Sequence, residues 1–125
     1  MVQVGSCLRR KITIDENRII RLAKPDICLY GSSHLLADAE AICEDLMSSQ
    51  IEPGRISLSV TANIIHLRPA ALGDQLEIEV RVIAVQDGRV TLDTMVFMDG
   101  SVIATVRHQR ADMSIATANR LLPKR

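Results

Sequence analysis

Residues 76–110, LEIEVRVIAVQDGRVTLDTMVFMDGSVIATVRHQR, decide the fold of this chain. Leu76, Ile78, Val80, Val82 and Ala84 alternate with Glu77, Glu79, Arg81 and Ile83, the period-two pattern of a strand with one face buried. Two more strands follow, Arg89 to Met98 and Val102 to Arg110, each entered through an Asp-Gly pair. Asp-Gly ordinarily signals a two-residue hairpin loop. Such a loop at Asp87-Gly88 sets Val82 opposite Asp93 and Val80 opposite Met95, mixing an apolar row with a polar one. A three-residue loop with a glycine bulge at Gly88 instead pairs Val82 with Leu92, Val80 with Thr94 and Ile78 with Val96. The same choice at Met98-Asp99-Gly100 pairs Val96 with Val102, Thr94 with Ala104 and Leu92 with Val106. Both loops are therefore expected to be bulged, with Gly88 and Gly100 at positive φ.

Upstream, Leu58, Val60, Ala62 and Ile64 form another alternating row, and His66 continues it in phase, which points His66 to the buried side. Arg68 to Asp74, with Pro69 and Gly73, reads as an irregular turn into the next strand. From Leu35 to Met47 the apolar residues Leu35, Leu36, Ala39, Ile42, Cys43, Leu46 and Met47 recur at one-face helical spacing. Gly31, Ser32 and Ser33 precede this helix as N-cap candidates, and Pro53-Gly54 follows it. Lys11 to Ile14 and Arg18 to Leu22 suggest two short strands around an Asp15-Glu16-Asn17 turn, and Ser114 to Leu122 a short helical turn. The order is a ragged N-terminal segment, one helix, then four antiparallel strands in a meander. One helix cannot cover both faces of such a sheet, so an α+β arrangement is expected, a curved antiparallel sheet wrapped around one long helix. That leaves an edge or face for a second subunit.

Composition narrows the function. The 125 residues suit one domain, with a core over about 11–112 and a tail over 113–125. Fifteen basic and fifteen acidic side chains cancel, and with one Tyr, one Phe and no Trp the chain lacks the basic, stacking surface that nucleic acid requires. Cys7, Cys28 and Cys43 are odd in number and widely spaced, which argues against a disulfide framework or a zinc site. They read as reduced thiols in a cytoplasmic protein. The start, MVQVGSCLRRK, lacks the apolar run of a signal peptide or membrane span, and the end, NRLLPKR, reads as a solvated terminus.

The helix ADAEAICEDLM, the segment EPGRISLSV, the strand end IIHLRPAALGD, the hairpin VQDGRVTLD and the closing VRHQRAD together span Gly31 to Asp112. In their order and spacing they resemble the fluoroacetyl-CoA thioesterase branch of the hot-dog fold superfamily. The resemblance implies three functional residues: Ser32 where the family has a threonine, Glu40 where it has a glutamate within the helix, and His66 where it has a histidine on the following strand. Ser59 stands where the family pattern has a glycine against the substrate, and Leu35, Leu36 and Ala39 occupy the region of an aromatic pocket lining.

Hydroxyl, carboxylate and imidazole are the parts an acyl-transfer site needs. Each also has a plainer reading: Ser32 as a helix cap, Glu40 as a border carboxylate reaching solvent, His66 as a core or edge histidine. His108, in phase with a core row opposite Val90, reads as structural with a polar partner. His34 and Asp38, four apart, offer two metal ligands without a third, so no metal is expected. Arg55, Arg68 and Arg107 are candidates to meet CoA phosphates across an interface, but each reads first as an ordinary surface residue. The expectation is an acyl-CoA thioesterase without cofactor, a homodimer or dimer of dimers. Its rival is a non-catalytic module of the same fold that binds acyl-CoA or another small ligand.

Overall fold

A computed structural model describes residues 1–22 and 26–124; Arg125, the last residue of the basic end, lies outside the described residues. In chain order the elements are β1 (Cys7–Thr13), a 3-10 turn (Glu16–Arg18), β2 (Ile19–Leu22), β3 (Ile27–Tyr30), α1 (Ser32–Ser48), β4 (Arg55–His66), β5 (Gln75–Gln86), β6 (Arg89–Met98), β7 (Ser101–Ser114) and α2 (Ile115–Leu121). α1 buries Leu35, Ala39, Ile42, Cys43, Leu46 and Met47 as its periodicity requires. They meet Leu76, Ile78, Val80 and Val82 of β5, Val90, Leu92 and Val96 of β6, and Ala104 and Val106 of β7 in one core. The result is α+β, a long helix packed against a curved antiparallel sheet.

Sheet order is β1-β5-β6-β7-β4. The expected four-strand meander is therefore corrected to three strands, β5, β6 and β7, with β4 carried across to the outer edge of β7. The other side of β5 is taken by β1, where Ile12 faces Leu76. The connection over residues 67–74 is too long for a tight hairpin and runs over the sheet's end, where Leu67 N–H donates to Ile103 O at 2.8 Å and Leu29 bridges Ala71. At the N-terminus the Asp15 turn forms, its carboxylate accepting from Asn17 N–H at 3.0 Å. The strands on either side of it part company: β1 joins the main sheet, whereas β2 pairs with β3, a strand the alternation did not reveal. The C-terminal turn is α2, capped by Ser114, whose hydroxyl accepts from Thr117 N–H at 3.0 Å.

Both Asp-Gly loops hold two residues, not three. Gln86 pairs with Arg89 and Met98 with Ser101. Asp87 and Asp99 take φ 51° and the following Gly88 and Gly100 φ 76° and 78°, the two left-handed positions of a tight hairpin turn. The extra residues lie inside the strands instead: the register shifts between Val82 and Ala84 in β5, and between Val96 and Phe97 against β7. The first shift restores the expected pairs Val82–Leu92, Val80–Thr94 and Ile78–Val96. The second slides β7 by two residues, so that Val96 faces Ala104, Thr94 faces Val106 and Leu92 faces His108. The slide keeps Ala104, Val106 and His108 on their expected face and moves His108 from Val90 to Leu92, whereas Val102, beyond the bulge, faces Phe97 and Ile103 is buried instead.

β4 also carries a bulge, between Ser59 and Thr61. The single row Leu58-Val60-Ala62-Ile64-His66 is thereby cut. Ser57 and Ser59 precede the bulge on the helix side and Leu58 turns outward, whereas Ala62, Ile64 and His66 regain the helix side opposite His108, Val106 and Ala104.

Candidate active site

α1 opens at Ser32 behind Gly31, and no side chain caps it. Gly31 is dictated by space: a Cβ there lies 2.6 Å from His34 Nδ1 and 3.0 Å from Ile20 Cγ2. Ser32 is thus not the cap. Its hydroxyl is free to meet β4, and Ser32 Oγ lies 3.1 Å from His66 Nδ1. The first backbone N–H groups of α1 lack intrahelical partners, and no acidic side chain occupies the first turn to compete for them.

His66 faces the helix side, as its phase required, and its Nε2 is shielded from solvent without a hydrogen-bond partner among the described residues. A cavity of about 320 Å³ opens beside the pair, lined by Ile20, Leu29, Tyr30, Ser32, His66, Leu67, Arg68 and Pro69. Its wall is braced by a partly buried polar knot. Tyr30 OH donates to Asp38 Oδ2 at 2.6 Å and Arg18 Nε at 3.0 Å, tying the β2–β3 hairpin to α1. Burial, then the bond to Asp38, pushes the Tyr30 phenol well above its usual range. Asp38 is therefore engaged, and the described residues hold no cluster of three or more metal-ligating side chains. A larger depression, about 590 Å³, lies near β1, β5 and β6 around Arg9, Glu77 and Phe97; it contains none of Ser32, Glu40 or His66.

Glu40 lies eight residues beyond Ser32, about 12 Å along the helix axis. One chain therefore brings Ser32 and His66 together and leaves Glu40 apart. The Glu40 side chain is 39% exposed, on the border of the apolar stripe, and its Oε1 lies 3.7 Å from His108 Nε2. His108 is fully buried, and its Nδ1 lies 3.8 Å from Cys43 Sγ. Burial lowers its pKa, with Arg110 adding to the effect and Glu40 opposing it, so the ring is neutral. Burial likewise raises the Cys43 thiol to about 11. One helical turn on, Glu44 accepts from Arg110, which also donates to Ser57 Oγ at 2.9 Å.

The helix–sheet pairs Glu40–His108 and Glu44–Arg110 had a signal in the sequence. Two carboxylates four apart on a helix and two basic groups two apart on a strand both advance by about 6 Å. Sequence alone does not say that these two ladders face each other. Of the three arginine candidates, Arg55 donates to Asp112 at 2.7 Å and Arg107 to Asp93 at 2.8 Å, whereas Arg68 lines the Ser32–His66 cavity.

Comparison with known proteins bears on the fold and the family. Among solved structures, a hot-dog-like protein from Thermanaerovibrio acidaminovorans matches with a TM-score of 0.84 at 20% identity over 97% of this chain and 94% of that one. A thioesterase superfamily member from Thermus thermophilus matches at 0.85 and 14%, over 97% and 90%. A single-site mutant of the fluoroacetyl-CoA-specific thioesterase, in complex with fluoroacetate and CoA, matches at 0.81 and 17%, over 94% and 99%. These likenesses fix the hot-dog fold. No curated protein sequence gives a significant match. The model of the fluoroacetyl-CoA-specific thioesterase family matches residues 14–115, spanning α1, the whole main sheet after β1 and all of Ser32, Glu40 and His66, and the chain belongs to that family.

Proposed function

We propose that the protein hydrolyses a small acyl-CoA to the free acid and CoA. The observation that carries this is the Ser32 Oγ–His66 Nδ1 contact of 3.1 Å at the uncapped N-terminus of α1, inside a cavity, in a chain of a thioesterase family. The thioester carbonyl lies against the free N–H groups of α1, which favour the negative charge that develops on its oxygen. Ser32 orients that carbonyl. His66, whose Nε2 has no hydrogen-bond partner among the described residues, assists proton transfer. Glu40 either attacks the carbonyl, the C–S bond breaking to release CoA thiolate and leave a transient anhydride that water then cleaves, or takes a proton from a water that attacks the carbonyl and expels CoA thiolate directly, the thiolate being protonated in either route. Arg68, on the cavity wall, meets a CoA phosphate.

The gap of about 12 Å between Ser32 and Glu40 along one helix calls for a second copy. β4 is a twelve-residue edge strand whose stretch from Ile56 to His66 carries neither lysine, arginine, carboxylate nor proline, and it exposes Leu58, Val60 and Ile65. The opposite edge, β1, is guarded by Arg9, Arg10 and Lys11. An unguarded edge of that length is a template for pairing, so the proposed dimer forms along β4. A two-fold axis near the middle of the Ser32–Glu40 interval sets Glu40 of one copy against Ser32 and His66 of the other.

The test is thiol release, followed with a chromogenic disulfide reagent, from short, branched and aromatic acyl-CoAs with wild type, Glu40→Ala and His66→Ala. Hydrolysis that falls about a hundredfold or more in both folded variants supports the reading. Binding without cleavage, seen as a rise in Tm with an acyl-CoA that wild type leaves intact, transfers the site to a carrier or sensor role.

A further inference from the structure

α1 presents two carboxylates one turn apart to β7, and β7 answers each differently. Glu44 meets Arg110, a permanent cation that is itself buried and further held by Ser57. Glu40 meets His108, a ring with no exposed surface and a lowered pKa. Glu44 is held in an ion pair with Arg110, whereas Glu40 has no arginine or lysine paired with it among the described residues; the two side chains are 48% and 39% exposed.

His108 has an orphan nitrogen. Its Nε2 is buried without a hydrogen-bond partner among the described residues, and Glu40 Oε1 at 3.7 Å is the acceptor facing it. A buried donor left unmade costs about 1–3 kcal/mol, whereas a modest rotation of the partly exposed Glu40 side chain closes the gap. Nε2 faces a carboxylate, which only accepts, so the tautomer that satisfies the pair carries its proton on Nε2; in that tautomer Nδ1 accepts from the Cys43 thiol, whose Sγ lies 3.8 Å away. An apolar side chain would fill a core position beside Val106 at less cost in desolvation.

We infer that His108 is a positioning residue for the proposed hydrolysis, donating from Nε2–H to the Glu40 carboxylate and holding it in its working orientation, with the Cys43 thiol donating to Nδ1. The inference rests on Glu40 being the working carboxylate. His108 touches no substrate. It acts through Glu40, and the neutral ring lets it do so without forming an ion pair such as Arg110 makes with Glu44.

Two readouts test it. In the first, acyl-CoA hydrolysis is compared for wild type, His108→Leu, His108→Gln, Glu40→Gln and the double variant Glu40→Gln/His108→Leu, with thermal melts of each. His108→Leu is expected to lower kcat about tenfold with KM nearly unchanged, and His108→Gln, which retains a neutral donor, to recover most of the loss. In the Glu40→Gln background His108→Leu changes kcat no further; an equal loss in both backgrounds marks a purely structural histidine and overturns the inference. The second readout needs no activity. Nitrogen-15 spectra of the His108 ring are expected to show the Nε2–H tautomer, with an Nε2 shift that moves in Glu40→Gln. An Nδ1–H tautomer, or a ring indifferent to Glu40→Gln, overturns it. The panel also separates the failures: if wild type hydrolyses no acyl-CoA the proposed function is wrong, if Glu40→Gln leaves hydrolysis intact Glu40 is not the working carboxylate, and if Glu40→Gln abolishes it while His108→Leu does not lower kcat, the positioning role is wrong.

Discussion

Ser32 begins α1 without capping it, and that detail gives the hydroxyl to His66 rather than to the helix backbone. Ser32→Ala is therefore expected to leave stability within about 0.5 kcal/mol, because no cap is lost, while lowering kcat about tenfold or more. Ser32→Thr keeps the hydroxyl and stiffens its rotamer, so activity is retained; thiol-release assays beside thermal melts separate the two variants. His108 makes a second prediction. Its folded pKa lies below the ordinary 6.5, so between the two values the unfolded chain binds more protons than the folded one. Stability from this group is complete above about pH 6.5 and is lost as pH falls through the folded value, with a slope of up to about 1.4 kcal/mol per pH unit. Urea titrations between about pH 7 and pH 5 should show that slope, and His108→Gln should flatten it.

Among the elements, the hairpins show how a correct local signal can be outvoted by a sound but incomplete argument. Asp87-Gly88 and Asp99-Gly100 form the tight turns their composition announces. The phase conflict that seemed to forbid them is real, and the chain resolves it at residues 82–84 and 96–97, where the register shifts. Bulges carry no composition of their own in these strands, since Ile83 and Ile103 look like ordinary strand residues. The turn conformation is testable. Gly88 sits at φ 76°, and an added Cβ would meet Asp112 O at an unremarkable 3.5 Å, so the penalty for Gly88→Ala is backbone strain alone. A loss of about 1 kcal/mol and a drop of a few degrees in Tm are expected by calorimetry.

For the whole molecule, the proposed dimer follows from the asymmetry of the sheet's two edges. Light scattering is expected to report a dimer, and Val60→Asp, which places a charge on the exposed face of β4, to yield a folded monomer whose hydrolysis falls with its association. A variant that stays dimeric directs attention to another surface; one that becomes monomeric and remains fully active separates the site from the interface. The sequence alone determined the strand and helix periods, the helix-side placement of His66, the positions of the two Asp-Gly turns though not their length, and the family resemblance, because each depends on residues near one another in the chain. It also marked Ser32, Glu40 and His66. Tertiary structure alone decided that β4 crosses to β7, that Ser32 meets His66 while Glu40 turns to His108, and that Arg110 forms an ion pair with Glu44. The physical reason is that periodicity fixes which face a side chain occupies, whereas its partner is set by strand order, bulges and the docking of α1 on the sheet, which no local pattern records.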